Sequence, residues 1–298
     1  MMKLSGSIDI ITPFYNGAEF VVPYLYAMNS VVIPEGYNVN LILIDNGSDD
    51  NSVELIKTYP NFSNNIHVKL ISYTDKKSSY AARNFGVNNS FGEYILFTDI
   101  DCIVHENWIL NYVNALLREK NTIFSGHVEF FFENKKLIDT LSSVFDSTYF
   151  LRNDINARNK TGVTANAAIS RVVFNDIGSF DENTSGADHL YFSRAKLKRV
   201  DFSFVCDAIV RHPTRNYSQI LAKIKRISLG KLESNKKISY FSELAKMLIN
   251  PMLFATYKAG VFKKISISLW LPYVTYTYIV NFKSRYYLLK YKAKGNKV

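Results

Sequence analysis

Residues 94–102, Tyr94-Ile95-Leu96-Phe97-Thr98-Asp99-Ile100-Asp101-Cys102, decide how this chain is read. Aromatic and β-branched side chains up to Thr98 make a buried strand, and that strand empties into two carboxylates one residue apart. In an extended chain Asp99 and Asp101 point the same way. Two carboxylates held together repel each other unless a cation sits between them. A hard divalent ion with oxygen ligands, keeping positions open for substrate phosphates, meets that need. Taken alone, an Asp-x-Asp at a strand end is a common solvated turn. Its neighbours therefore carry the decision.

Working outward, the same pattern of strand followed by polar cluster recurs. Ile8–Phe14 is an apolar run containing Pro13 that reaches a loop at Tyr15-Asn16. Val39–Ile44 stops at Asp45-Asn46-Gly47-Ser48-Asp49-Asp50, where Asp50 or Asn51 is placed to cap a helix running through Tyr59. His67–Tyr73 reads as a further strand. Helical spacing covers Glu19–Ser30, Ser78–Asn89 and Glu106–Glu119. Strands separated by such helices form βαβ units in a mostly parallel sheet, and ligands sit beyond the carboxyl ends of its strands. The clusters at 15–16, 45–50 and 99–101 all fall at those ends.

The chain has 298 residues, 47% of them apolar and 21% charged, which is ample for a sizeable α/β core. Its two cysteines, Cys102 and Cys206, form no disulfide framework and fit a reducing compartment. No apolar leader with a cleavage site opens the sequence, so a cytoplasmic location is expected. The net charge of +10 is unevenly spread. Residues 1–210 carry 18 Lys+Arg against 24 Asp+Glu, a net of −6, whereas residues 211–298 carry 18 against 2, a net of +16. An acidic body with a cationic tail is not the pattern of a nucleic-acid binder, and no nucleic-acid partner is expected. The GxxxxGK[ST] and GxGxxG phosphate loops, HExxH, paired CxxC and the GxSxG elbow are all absent.

The ordered motifs carry a resemblance. Thr12-Pro13-Phe14-Tyr15-Asn16, Asp45–Asp50, Ala82-Arg83-Asn84-Phe85-Gly86, Gly92–Cys102 and Trp108-Ile109 follow one another. Thr164–Ala168, Val173-Phe174, Ile177–Glu182, Ser185-Gly186-Ala187-Asp188, Arg194 and His212–Arg215 come after them. In that order these pieces resemble the inverting family-2 glycosyltransferases of the GT-A fold, over about residues 8–230. The fold class so implied is α/β, a Rossmann-like, mostly parallel central sheet flanked by helices, with a C-terminal helical extension.

The resemblance implies a role for each matching residue. Asp45 would accept a hydrogen bond from the nucleobase, with Pro13, Tyr15 and Asn16 shaping the base pocket. Arg83, a permanent planar cation, would lie near the diphosphate of a nucleoside-diphosphate sugar. Asp99 would lean toward the ribose or the metal, and Asp101 would bind the metal directly. His212 is a further candidate ligand, and neutral imidazole suits Mn2+ better than Mg2+. Asp188, at a helix start that favours its ionised form, is the candidate general base for an acceptor hydroxyl. Many relatives carry Glu-Asp where this chain has Ala187-Asp188, which bears on acceptor class more than on activity. Leu190, Tyr191 and Ala195 read as the buried face of that helix.

The tail completes the expectation. Ser218–Leu232 is basic and helical, and Leu244–Phe262 and Ile265–Phe282 are apolar stretches split by Lys263-Lys264. Pro272, three Tyr and Asn281 within the second stretch fit helices lying on an anionic membrane surface better than a span. A cationic helical subdomain packed on the body, and homo-oligomerisation, are the alternatives. The expected division is a catalytic domain over 1–215 and a basic helical tail over 216–298. The expected reaction is metal-dependent (Mn2+ or Mg2+) transfer of a sugar to a saccharide or lipid-linked acceptor at the inner face of the cell membrane. A nucleotidyltransferase, or a non-catalytic scaffold on the same fold, is the rival reading.

Overall fold

The computed structural model describes residues 5–60, 62, 66–132, 136–182, 185–233, 238–258 and 260–293. The chain divides into two units, one made of residues 1–129, 153–182 and 187–212, the other of 130–152, 183–186 and 213–298.

The first unit is built on a sheet. Strands β1 (Gly6–Phe14), β2 (Tyr37–Asp45), β3 (Ile66–Ser72) and β4 (Tyr94–Thr98) run parallel, in the order β3-β2-β1-β4. Helices α1 (Ala18–Asn29), α2 (Ser52–Thr58) and α3 (Ser79–Asn88) connect them. The sheet continues through β7 (Asn166–Ser170), β6 (Thr122–Phe131), β8 (Asp201–Pro213) and the short β5 (Ile103–Val104). Strand β7 is antiparallel to β4 and to β6, and β5 is antiparallel to β8. Helices α4 (Trp108–Arg118), α6 (Asn153–Asn156), α7 (Arg171–Ile177) and α8 (Ala187–Leu197) complete the unit.

Strands covered on both faces are apolar without alternation, and Ile8, Ile10 and Ile11, Leu41 to Ile44, and Ile95 to Phe97 are all buried. One charge lies among them. Asp9 is fully buried, paired with Arg171 at 2.7 Å and bonded by Asn40 Nδ2 at 2.8 Å. A Cβ at Gly92 would stand 2.7 Å from that carboxylate. The register sets Phe14 opposite Asp45 and Ile11 opposite Phe97, so β1, β2 and β4 end at the same edge. Phe97, Phe180 and Tyr191 pack beneath that edge, with ring centres 5.4 and 4.3 Å apart in sequence.

The far half of the sheet is tied by a buried amide. Asn166 Oδ1 accepts from Trp108 Nε1 at 2.8 Å and from the Tyr112 hydroxyl at 2.6 Å, while its Nδ2 donates to His127 O and Ala208 O, both at 2.8 Å. Each of the four polar capacities of Asn166 is thereby satisfied. Strand β8 is held beside the rest of the sheet and delivers His212 at its end.

The second unit is helical: α5 (Leu137–Tyr149), α9 (Tyr217–Glu233), α10 (Tyr240–Ile249), α11 (Pro251–Lys258) and α12 (Trp270–Ala293). Leu141 and Phe145 of α5 pack with Ile220, Ile224, Met252, Val261, Tyr273, Tyr276 and Val280 into one core. Two of the five aromatics in the second apolar stretch, Tyr273 and Tyr276, therefore face inward, and the Tyr276 hydroxyl bonds Ser142 Oγ at 3.0 Å. Two buried carboxylates are paired: Asp146 with Arg215 at 3.1 Å, and Glu243 with Arg285 at 2.8 Å. Among the described residues no helix is long and apolar enough to cross a membrane.

Candidate active site

The loops after β1 and β2 are stitched to each other. Asn16 has a left-handed backbone (φ 49°), and its amide donates to Ser48 Oγ at 3.0 Å. Its side chain and Asp49 exchange two hydrogen bonds, at 2.6 and 2.9 Å. Asp50 accepts from the Ala18 and Ser52 amides, both at 3.0 Å, and so serves the start of α2, where Asn51 makes no side-chain cap. Burial works against the Asp50 carboxylate, but the Ser52 hydroxyl and these amides hold its pKa below the usual value. Asp45 is buried, and its Oδ1 accepts from Ser48 N at 2.9 Å. Tyr15 stands half exposed with Lys77 Nζ 5.1 Å from its ring centre. The Asn16 side chain is thus committed to loop closure. Lys77, which pattern reading passed over, stands at the expected base pocket.

Helix α3 aims the next group. Ser78 caps it, accepting from Ala81 N at 3.4 Å. Gly86 lets it lie close on the sheet, since a Cβ there would be 2.8 Å from Ile44 Cδ1. That close packing directs Arg83, itself buried, to the end of β4, where it forms an ion pair with Asp99. The Arg83 guanidinium also lies over the Tyr80 ring at 5.5 Å. Asn84 clasps the loop before α8: its Nδ2 donates to Phe180 O and its Oδ1 accepts from Phe180 N, each at 2.9 Å. Sequence reasoning gave Asn84 no role, because a reciprocal clasp on a distant loop leaves no local pattern.

The two carboxylates of the Asp-x-Asp segment turn to different partners. Asp99 faces Arg83, whereas Asp101 Oδ2 lies 3.2 Å from Nε2 of the buried His212. Next in the chain, the Cys102 thiol is pushed well up in pKa, by burial first and then by the charges of Asp101 and Asp99. It stays protonated, in line with a packed residue. Among the described residues no three His, Cys, Asp or Glu gather to hold an ion. The Asp101–His212 pair nevertheless offers one oxygen and one nitrogen donor, a mixed set that suits Mn2+ and leaves positions for phosphate oxygens.

Asp188 lies in the first turn of α8, with Oδ1 accepting from His189 N at 3.0 Å. Burial, and then the Asp188 charge, push the Tyr80 phenol well above its usual pKa, so it stays neutral beside Asp188. Tyr80 therefore lies under Arg83 and within the field of Asp188. Ala187 is fully buried in the core, where a second acid would carry a desolvation cost. Tyr191, Phe192 and Ala195 form the inward face of α8, and Leu190 is only partly buried. Arg194 pairs with Asp181 and donates to Ser179 O, a structural tie.

The profile of glycosyl transferase family 2 matches residues 9–178. Glycosyltransferase AglE of Haloferax volcanii is 28% identical over 229 residues, spanning 76% of this chain and 73% of that protein. The uncharacterized glycosyltransferase YibD of Escherichia coli is 33% identical over 101 residues, 34% of this chain and 28% of its own length. Among solved structures, mannosyltransferase PcManGT from Pyrobaculum calidifontis, in complex with GDP-Man and Mn2+, superposes with a TM-score of 0.61 at 15% identity, covering 96% of this chain and 88% of that one. Residues 1–349 of TarS from S. aureus, in complex with UDP-GlcNAc, give 0.54 at 15% identity over 97% and 92%. These likenesses extend the shared GT-A architecture beyond the profile match. With more than half of its length matched by the family profile, the chain belongs to glycosyl transferase family 2 and is a glycosyltransferase.

Proposed function

We propose that the enzyme moves a sugar, with inversion, from a nucleoside-diphosphate sugar to a hydroxyl of a saccharide or lipid-linked acceptor, using Mn2+ or Mg2+. The observation that carries this reading is the separation of the acidic pair, Asp99 toward Arg83 and Asp101 toward His212. It supports two adjacent subsites, one cationic and one able to ligate a metal. The donor classes named for the PcManGT and TarS complexes are of the same chemical kind.

In this reading Asp45, Pro13 and Tyr15 hold the nucleobase, and Asp99 orients the ribose. Asp101 and His212 hold the divalent ion, which supplies Lewis-acid neutralisation of the diphosphate. Arg83 meets the charge that grows on the departing nucleoside diphosphate. Asp188 takes the proton of the acceptor hydroxyl as its oxygen bonds to the anomeric carbon and the bond to the β-phosphate breaks. Tyr80, neutral beside Asp188, adds no competing charge there. We further take residues 1–215 as the catalytic domain. Residues 216–298 would be the segment that holds it to the anionic inner face of the membrane, where surface polysaccharide or glycolipid is assembled.

The test is a thermal-shift panel of nucleoside diphosphates and nucleotide sugars with and without Mn2+, on the wild type and Asp101→Ala. A ligand at about a hundred times its Kd adds about 2.7 kcal/mol of stability, a readily measured shift. A metal-linked shift that Asp101→Ala abolishes is expected. A shift with no metal dependence, or one that Asp101→Ala retains, would remove the metal assignment. No shift with any nucleotide would favour the scaffold reading.

A further inference from the structure

Helices α10 and α12 pack antiparallel. Arg285 Nη1 donates to Glu243 Oε2 at 2.8 Å, Asn281 Nδ2 to Lys246 O at 2.7 Å, and Asn250 Nδ2 to the Thr277 hydroxyl at 3.2 Å. At the far end Lys292 Nζ lies 4.0 Å from the Tyr240 ring centre. These pairings decide where every other residue faces. The next residue on each helix has turned by about 100° in the right-handed sense. In an antiparallel pair that turn carries both helices to the same side. Phe241, Leu244 and Leu248 follow the contact positions Tyr240, Glu243 and Met247 on α10, the Met247 carbonyl accepting from Asn281 Nδ2 at 3.5 Å. Tyr278, Phe282 and Tyr286 follow Thr277, Asn281 and Arg285 on α12. All six are exposed, from 42% at Tyr278 to 82% at Phe241. The opposite positions on α12, Tyr273, Tyr276 and Val280, are locked in the unit's core, so the helix cannot turn this face inward.

The charge around this face selects its occupant. Residues 238–293 contain eight Lys and Arg but one acidic residue, Glu243, which is buried in its ion pairs. By helical spacing Lys283 and Lys290 stand at the outer edge of the α12 stripe, and Lys290 Nζ lies 5.5 Å from the Tyr286 ring centre. A second copy laid on this face would bring like charges together, which is unfavourable. An anionic lipid surface is complementary in both respects. Aromatic rings favour the headgroup level, aliphatic side chains the acyl boundary, and long lysines reach back to phosphates.

We propose that the face formed by Phe241, Leu244, Leu248, Tyr278, Phe282 and Tyr286 lies flat on an anionic lipid bilayer, with Lys283 and Lys290 among the lipid phosphates. This deepens the membrane attachment given under the proposed function by naming the surface that makes it. It is independent of the donor chemistry.

The full chain is tested by flotation with vesicles of phosphatidylcholine alone, or with about a third phosphatidylglycerol, at about 0.1 and 0.5 M salt. The variants are the triple Phe241→Ser/Leu248→Ser/Phe282→Ser and the pair Lys283→Glu/Lys290→Glu. The wild type is expected to float with the anionic vesicles, less so at high salt. The triple variant is expected to lose partitioning by roughly tenfold or more with its melting temperature kept. The Lys pair should lose the preference for anionic lipid. If the triple variant does not fold, the Lys pair alone carries the test. Wild-type flotation that both variants retain would overturn this face while leaving attachment elsewhere. No flotation of the wild type would overturn the face and the membrane reading together. A lipid-free dimer that the triple variant dissolves would assign the face to a second copy and overturn the proposal.

Discussion

His212 Nε2, at the end of β8, lies 3.2 Å from Asp101 Oδ2, in the turn after β4. A buried imidazole and a carboxylate at that distance form a mixed donor pair. His212→Ala is therefore expected to raise the Mn2+ concentration needed for half-maximal transfer by at least about tenfold, since even outer partners of metal ligands change affinity by that much. Metal titration of turnover checks this. An unchanged half-saturation point would remove His212 from the ligand set.

The ion pair of buried Arg83 with half-buried Asp99 is where the proposed function sets the donor diphosphate. Arg83→Lys keeps the charge but loses the planar fork. Losing one charge-assisted hydrogen bond of about 1.5–3 kcal/mol weakens nucleoside-diphosphate binding by roughly tenfold to a hundredfold. Calorimetric titration of the nucleotide measures it, with Lys77→Ala, on the Tyr15 side, as the comparison.

Asp188 and Tyr80 should separate rate from binding. Asp188→Asn is expected to abolish turnover, by at least about a hundredfold in kcat, while sparing the donor-induced thermal shift. Tyr80→Phe removes the hydroxyl beside Asp188 but keeps the ring under Arg83, so kcat should fall with the donor KM unchanged. A change in donor KM alone would assign Tyr80 to the Arg83 side instead.

Asn166 predicts a stability effect with no chemistry in it. Asn166→Leu strips partners from Trp108 Nε1, the Tyr112 hydroxyl and two carbonyls. Buried groups left unpaired cost about 1–3 kcal/mol each, so chemical denaturation should show a loss of several kcal/mol. Asn84→Ala should loosen only the loop at Phe180 and cost less.

Glu243 predicts a pH dependence. Burial alone would raise its pKa, but the Lys246 hydrogen bond and the Arg285 charge outweigh burial and hold it below its ordinary 4.5. A carboxyl with a lowered folded pKa contributes stability that is present above the ordinary value and lost as pH falls through the folded one. Glu243→Gln should thus cost about 3 kcal/mol near pH 7, and the gap in melting temperature should close as the pH falls below the ordinary 4.5 and through the lowered folded value. A gap that persists at low pH would mean that packing, not charge, is responsible.

Much of this site was legible in the sequence because its parts sit at strand ends. The apolar runs at Ile8–Phe14, Val39–Ile44 and Tyr94–Thr98 stop abruptly at polar clusters, and the parallel register brings those clusters to one edge. What the individual residues do there was harder to read. Asn16 looked like a base-pocket residue, yet its amide is taken up by Asp49. Asp99 and Asp101 looked like one ligand pair, yet each turns to a different partner supplied from elsewhere in the chain.

The sequence by itself therefore determined the order of the elements up to about residue 119, the α/β sheet, the strand-end location of the candidate site and the cationic character of the C-terminal segment. All of these follow from local periodicity, turn chemistry and charge, which act over a few residues. Only the tertiary structure decided that Arg83 takes Asp99, that His212 takes Asp101, that Asn166 and Asn84 are clasps, and which side of α12 is core. Those outcomes depend on which distant side chain arrives within about 3 Å to satisfy a buried polar group, and linear spacing does not encode that.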